Sequence, residues 1–133
     1  MGLFKWLFGE VEVLPEHFEE TEEYKQLKED DRKLGVQIKR NDKAYKLEKA
    51  KEYDKAIKLY QKNIDDGFCG VGPYLRLAII YRKLKDIDSE IKILENGIKV
   101  FTALNENPEE RDVSGEINKC EDRLQKAKAI LNK

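Results

Sequence analysis

An all-α fold is the expectation, and three observations carry it. The 133-residue chain is 40% charged yet holds only 3 prolines and 8 glycines, a Lys- and Glu-rich composition that favours helix. Apolar residues recur at three- and four-residue spacing from about residue 34 onward, the period of a helix face. Short turn signals at 51–54, 67–73, 85–88 and 105–108 separate segments of helical length. The length suits one domain. Collagen-like, disulfide-scaffold and transmembrane classes are excluded, the last because no apolar run approaches the roughly 18 residues a spanning helix needs.

The elements follow in order. Residues 1–15 form an apolar N-terminal segment, in which Leu3, Phe4, Trp6, Leu7 and Phe8 surround the single charge of Lys5, and a linker with an extended piece from Val11 to Leu14. Residues 16–35 are expected as an acidic helix with a thin apolar stripe of Phe18, Tyr24 and Leu27, which must borrow a surface to pack on. Gly35 either ends that helix or lies within a continuous one. Residues 36–50 form the next helix, followed by a tight turn and a helix over 54–66 with Ala56, Ile57, Tyr60 and Ile64 on one face. A glycine-rich connection, 67–73, leads into a helix over 74–84 with Pro73 as its first residue. A helix over 88–104 carries Ile91, Leu94, Ile98 and Phe101. The last helix begins near Pro108 or Ser114 and ends at Leu131, with a stripe of Ile117, Cys120, Leu124, Ala127 and Leu131.

The two central helix pairs echo each other at a constant offset of 34 residues. Ala44 matches Ala78, Tyr53 matches Ile87, Asp54 matches Asp88, Ile57 matches Ile91, Tyr60 matches Leu94 and Ile64 matches Ile98. That period, the Leu77-Ala78 and Tyr81 spacing, and Tyr53-Asp54-Lys55-Ala56-Ile57 followed by Tyr60 resemble the tetratricopeptide repeat family. The resemblance implies repeats at about 37–70 and 71–104, stacked as antiparallel helix pairs in a right-handed solenoid. Two repeats bury too little alone, so residues 105–133 read as a loop and a capping helix, and the acidic helix as a cap at the other end. The resemblance has departures. Arg40 and Lys43 stand where the family has large apolar residues, and Glu90 where it has a packed alanine.

Net charge is −1, which argues against general nucleic-acid binding. The charge is segregated: residues 1–33 hold 5 basic and 10 acidic side chains, whereas residues 34–66 hold 9 and 6. Candidate chemistry is sparse. His17 is the single histidine, in an acidic segment. Cys69 and Cys120 match no metal or redox spacing, and neither has an activating base. Cys120 falls on an apolar stripe and reads as core. The glycines from Gly67 to Gly72 lack the preceding strand and the lysine of a phosphate-binding loop. No enzyme activity, metal or cofactor is expected. With no signal peptide read from the N-terminus, the expected compartment is the reducing cytoplasm.

Binding surfaces are more informative. In the family the first helix of each repeat lines a groove that receives peptides or helices, which maps here onto Ile38, Asn41, Tyr45 and Glu48, then Leu75, Ile79 and Arg82. Tyr45, Leu75, Ile79 and Arg82 are the expected anchors, with Asn41 and Glu48 as polar readers. Asn41 and Tyr45 occupy the positions where chaperone-binding members need Lys and Asn, so recognition of acidic chaperone tails is not expected. The Leu3–Phe8 patch has three destinations: its own groove, a second copy of the chain, or a membrane interface, where Trp and Phe are favoured. Trp6 stands where an N-myristoylation signal wants Ser or Thr. The expected function is a non-enzymatic adaptor for a protein or peptide partner. The alternatives are a peripheral membrane protein anchored by residues 1–9 and a small inhibitor, of phage or mobile-element type, of a host complex.

Overall fold

The computed structural model describes residues 21–107 and 111–132, and among them the chain is all helix and turn, with no strand. The helices are α1 (Glu22–Lys49), α2 (Tyr53–Asp65), α3 (Gly72–Lys83), α4 (Ile87–Leu104) and α5 (Ser114–Leu131). The chain divides into two compact units, Met1–Ile38 and Lys39–Lys133, with the boundary inside α1.

In the first unit the described part is the N-terminal stretch of α1. Thr21 caps it, its Oγ1 accepting from the Tyr24 amide at 3.2 Å, an oxygen satisfying one of the free amides of the first turn. Solvent-exposed pairs one turn apart line the stretch: Lys25 with Glu22, Arg32 with Glu29, and the Gln26 amide with Asp30. Such pairs add only a few tenths of a kcal/mol each. The helix runs straight through Gly35, which is exposed and has no atom near a would-be side chain. Of the two alternatives at Gly35 the continuous helix is the one present, because good helix formers on both sides outweigh one glycine. The expected start near residue 16 lies outside the described residues.

In the second unit two helical hairpins repeat one turn geometry. At the first turn the Glu52 amide donates to Leu47 O and the Lys51 amide to Glu48 O; at the second, Asp86 donates to Tyr81 O and Lys85 to Arg82 O. Every one of these residues is 34 positions from its counterpart. Lys51 and Lys85 sit at φ 61 and φ 60, the left-handed position of a Schellman helix end. A third such end closes α2, where Gly67 (φ 74) donates to Ile64 O and Phe68 to Asn63 O. Contacts within each pair run antiparallel: Glu48 meets Tyr60 while Arg40 meets Asp66, and Arg82 meets Glu90 while Tyr74 meets Phe101. Helix α3 begins one residue before Pro73, whose missing amide is harmless in the first turn. Helix α5 begins at Ser114.

The core joins Ala44, Ala56 and Tyr60 of the first hairpin to Tyr74, Leu77, Ala78, Ile80, Ile93, Leu94 and Phe101 of the second, and to Val113 and Cys120 at the last helix. Tyr74 and Phe101 meet edge to face, with centroids 5.6 Å apart. Gly97 marks the closest approach: a Cβ there would stand 3.2 Å from the Tyr74 ring and 3.3 Å from the Cys120 sulfur.

Candidate functional site

The groove residues read from sequence meet three different fates. Leu75 and Ile79, one turn apart on α3, are half-buried and line an open cleft of about 280 Å³. Its other wall is α5, through Lys119, Asp122, Arg123 and Lys126, residues that share one helix face by their spacing. Apolar floor and basic rim are thus supplied by separate helices. A wider depression of about 680 Å³ lies against Ile98, Glu121, Leu124, Gln125 and Lys128, without the paired anchors or the cluster of cations.

Asn41 and Tyr45 are partly exposed. The Asn41 Oδ1 accepts from Asn63 Nδ2 at 2.6 Å. The Tyr45 ring has the Lys49 ammonium and the Arg76 guanidinium each 5.1 Å from its centroid, a cation–π arrangement that holds the ring in place. Ile38 is 54% exposed and belongs to the first unit.

Glu48 is buried and Arg82 half-buried, each in an ion pair between helices. Glu48 is 3% exposed. Its Oε1 accepts from the Tyr60 hydroxyl at 3.1 Å and from Arg76 Nε at 3.0 Å, and its Oε2 from Arg76 Nη2. Burial first, and then the Glu48 charge, drive the Tyr60 hydroxyl well above its ordinary range, so it stays a donor. Arg82 donates from Nε to Glu90 Oε1 at 3.0 Å and sets Nη2 2.8 Å from Oε2. Glu90 is fully buried, and Arg123 brings its Nε to 3.4 Å from the same Oε2. Burial first, and then the nearby charge of Arg82, depress the Arg123 guanidinium below its ordinary value.

Two of the three departures from the repeat pattern, Arg40 and Glu90, are sites of ionic packing, whereas Lys43 is exposed. Arg40 bonds Asn63 Oδ1 and Asp66 Oδ2, each at 2.7 Å. Glu90 draws two arginines. Lys119, Arg123 and Lys126 line the cleft from a helix that the sequence presents only as a cap; their shared face, beside the apolar stripe of Ile117, Cys120 and Leu124, is the available signal.

The other candidates separate as well. Cys69 is exposed and Cys120 buried, its thiol pushed up to about 11 by burial and by the neighbouring Glu116 and Glu121 charges. The glycine-rich stretch connects α2 to α3, and Arg111 Nη2 holds its Cys69 carbonyl at 2.8 Å. His17 and the patch of Leu3, Phe4, Trp6, Leu7 and Phe8 lie outside the described residues. Among the described residues no helix is long and apolar enough to cross a membrane, and no cluster of three or more His, Cys, Asp or Glu side chains could hold a metal ion. No protein-family model, no curated protein and no solved structure matches the chain.

Proposed function

We propose that this chain is a non-enzymatic, tetratricopeptide-like interaction module that captures an amphipathic peptide or helix of a protein partner. The observation that carries the reading is the cleft between α3 and α5, with half-buried Leu75 and Ile79 as its floor. Two apolar side chains one turn apart suit the anchors of an amphipathic segment. The turns at Lys51 and Lys85, 34 residues apart, support the repeat assignment behind it. On this reading the hairpins are scaffold and the residues of chemical character are recognition groups.

The test is selection from a displayed library of random 12-residue peptides, with binding of the enriched peptide then followed by fluorescence anisotropy. The double variant Leu75→Ala/Ile79→Ala keeps the helical circular dichroism of the wild type and binds that peptide at least about tenfold more weakly, as loss of two central anchors requires. Unchanged binding by the folded double variant, or a library that yields no binder, overturns the proposal.

A further inference from the structure

We propose that Arg123 sets the specificity of this cleft by receiving a carboxylate side chain of the docked peptide. The inference rests on the cleft reading above and adds the chemistry of the partner. Its first support is charge stoichiometry. One buried carboxylate, Glu90, faces two guanidinium groups. Arg82 bonds Glu90 Oε1 through Nε at 3.0 Å and holds Nη2 2.8 Å from Oε2 as an ion pair without hydrogen-bond geometry. Arg123 is left with a single 3.4 Å approach, and its buried Nε has no hydrogen-bond partner. Arg32, Arg40, Arg76, Arg82 and Arg111 each donate at least one hydrogen bond. Arg123 donates none among the described residues. The trio carries one positive charge in excess of its carboxylate.

Location is the second support. Arg123 lines the cleft beside Leu75 and Ile79, between Lys119 and Lys126, and Asp122 is the one acidic side chain in the lining. A peptide laid over the two apolar residues therefore meets a net positive wall. A carboxylate is the complementary group, because the planar guanidinium offers it two parallel N–H donors. Partial burial strengthens that bond by limiting screening, and Glu90 fixes the orientation of the side chain from behind. The favoured occupant is thus an amphipathic segment that places Asp or Glu next to its apolar anchors.

The same displayed library decides the matter when selected against wild type, Arg123→Gln and Arg123→Lys. Wild type enriches peptides with an acidic residue at a fixed distance from the apolar anchors. Arg123→Gln retains the anchors and loses the acidic preference, and Arg123→Lys restores it in part. Against the wild-type consensus peptide, Arg123→Gln weakens binding about tenfold, the scale of a hydrogen bond to a charged group. Changing the peptide's acidic residue to its amide has the same effect, and the two changes together add nothing further. An acidic preference that survives Arg123→Gln, or strictly additive losses, overturns the assignment of Arg123. If binding still falls in Leu75→Ala/Ile79→Ala, the cleft reading stands without it; if that variant binds as wild type does, both fail. A consensus that reproduces a stretch of residues 1–20 would assign the cleft to the chain itself. A dimer in sedimentation equilibrium that dissociates on Leu75→Ala/Ile79→Ala would assign it to a second copy. Either result overturns the proposal of a separate partner.

Discussion

Arg40, Lys43 and Asn63 of the first hairpin correspond, 34 residues on, to Tyr74, Leu77 and Gly97 of the second. In the first hairpin Arg40 is tied to Asn63 and Asp66, and Lys43 is exposed. In the second, Tyr74 meets Phe101 edge to face, Leu77 is fully buried, and Gly97 admits both Tyr74 and Cys120. The turns between the helices are nonetheless the same, residue for residue. The comparison separates two determinants. The hairpin backbone follows from its helix ends and from Ala44 and Ala78, buried without exposure in both copies. What fills the seam follows from the neighbour: the second hairpin receives α5 and needs apolar bulk and a glycine there.

Ala56 and Glu90 are the sharpest contrast within that comparison, since both are fully buried at one repeat position. Glu90→Ala would make the second hairpin match the first. It should nevertheless destabilise the protein by about 2–3 kcal/mol, somewhat under the usual loss for breaking a buried ion pair, because Arg82 and Arg123 keep partial access to water. The melting temperature should fall by about 10 °C. A variant as stable as wild type would mean that the ionic trio adds nothing over a small apolar residue.

Much of this architecture was legible. The helices, the turns and the 34-residue echo follow from apolar spacing, whereas Leu75 and Ile79 were singled out only by what the tetratricopeptide resemblance implies. Charge pairing was not legible. Periodicity records where apolar groups recur, and it is blind to which arginine reaches which carboxylate across helices. In the sequence Arg40 and Glu90 stand out only as mismatches, and nothing there shows that Arg76 and Tyr60 bind Glu48. Arg123 escaped because α5 lies outside the repeat. The continuity of α1 through Gly35 is a third case: one glycine is a weak signal against strong helix formers on either side.

Lys51 and Lys85 test whether the two turns are energetically as well as geometrically alike. Both hold a non-glycine residue at positive φ, φ 61 and φ 60, where a Cβ crowds the following carbonyl. Lys51→Gly and Lys85→Gly should each stabilise the fold by about 0.5–1 kcal/mol, and by matching amounts, in chemical denaturation. A gain at one turn and a loss at the other would show that the neighbouring contacts, not the helix end, hold that lysine in place.

The two hairpins differ most finely at the start of their second helices. Asp86 caps α4, its carboxylate accepting from the Ser89 amide at 3.2 Å, while Glu52 at the equivalent place before α2 makes no such bond. Hydrogen bonds from the Ser89 side chain and then its backbone hold the Asp86 carboxyl below its ordinary value of 3.8. A carboxyl lowered on folding adds stability that is present above the unfolded value and lost as pH falls through the folded one. Asp86→Ala should therefore be less stable than wild type at pH 7. That gap should narrow as the pH drops below about 3.8 and close once the folded carboxyl is protonated. Glu52→Ala should cost little at pH 7, since its exposed pair with Lys55 is of the kind that adds little. Denaturation midpoints of the three proteins at neutral and acid pH check this. Equal losses in both variants at pH 7 would mean that the caps, like the turns, are copies of each other.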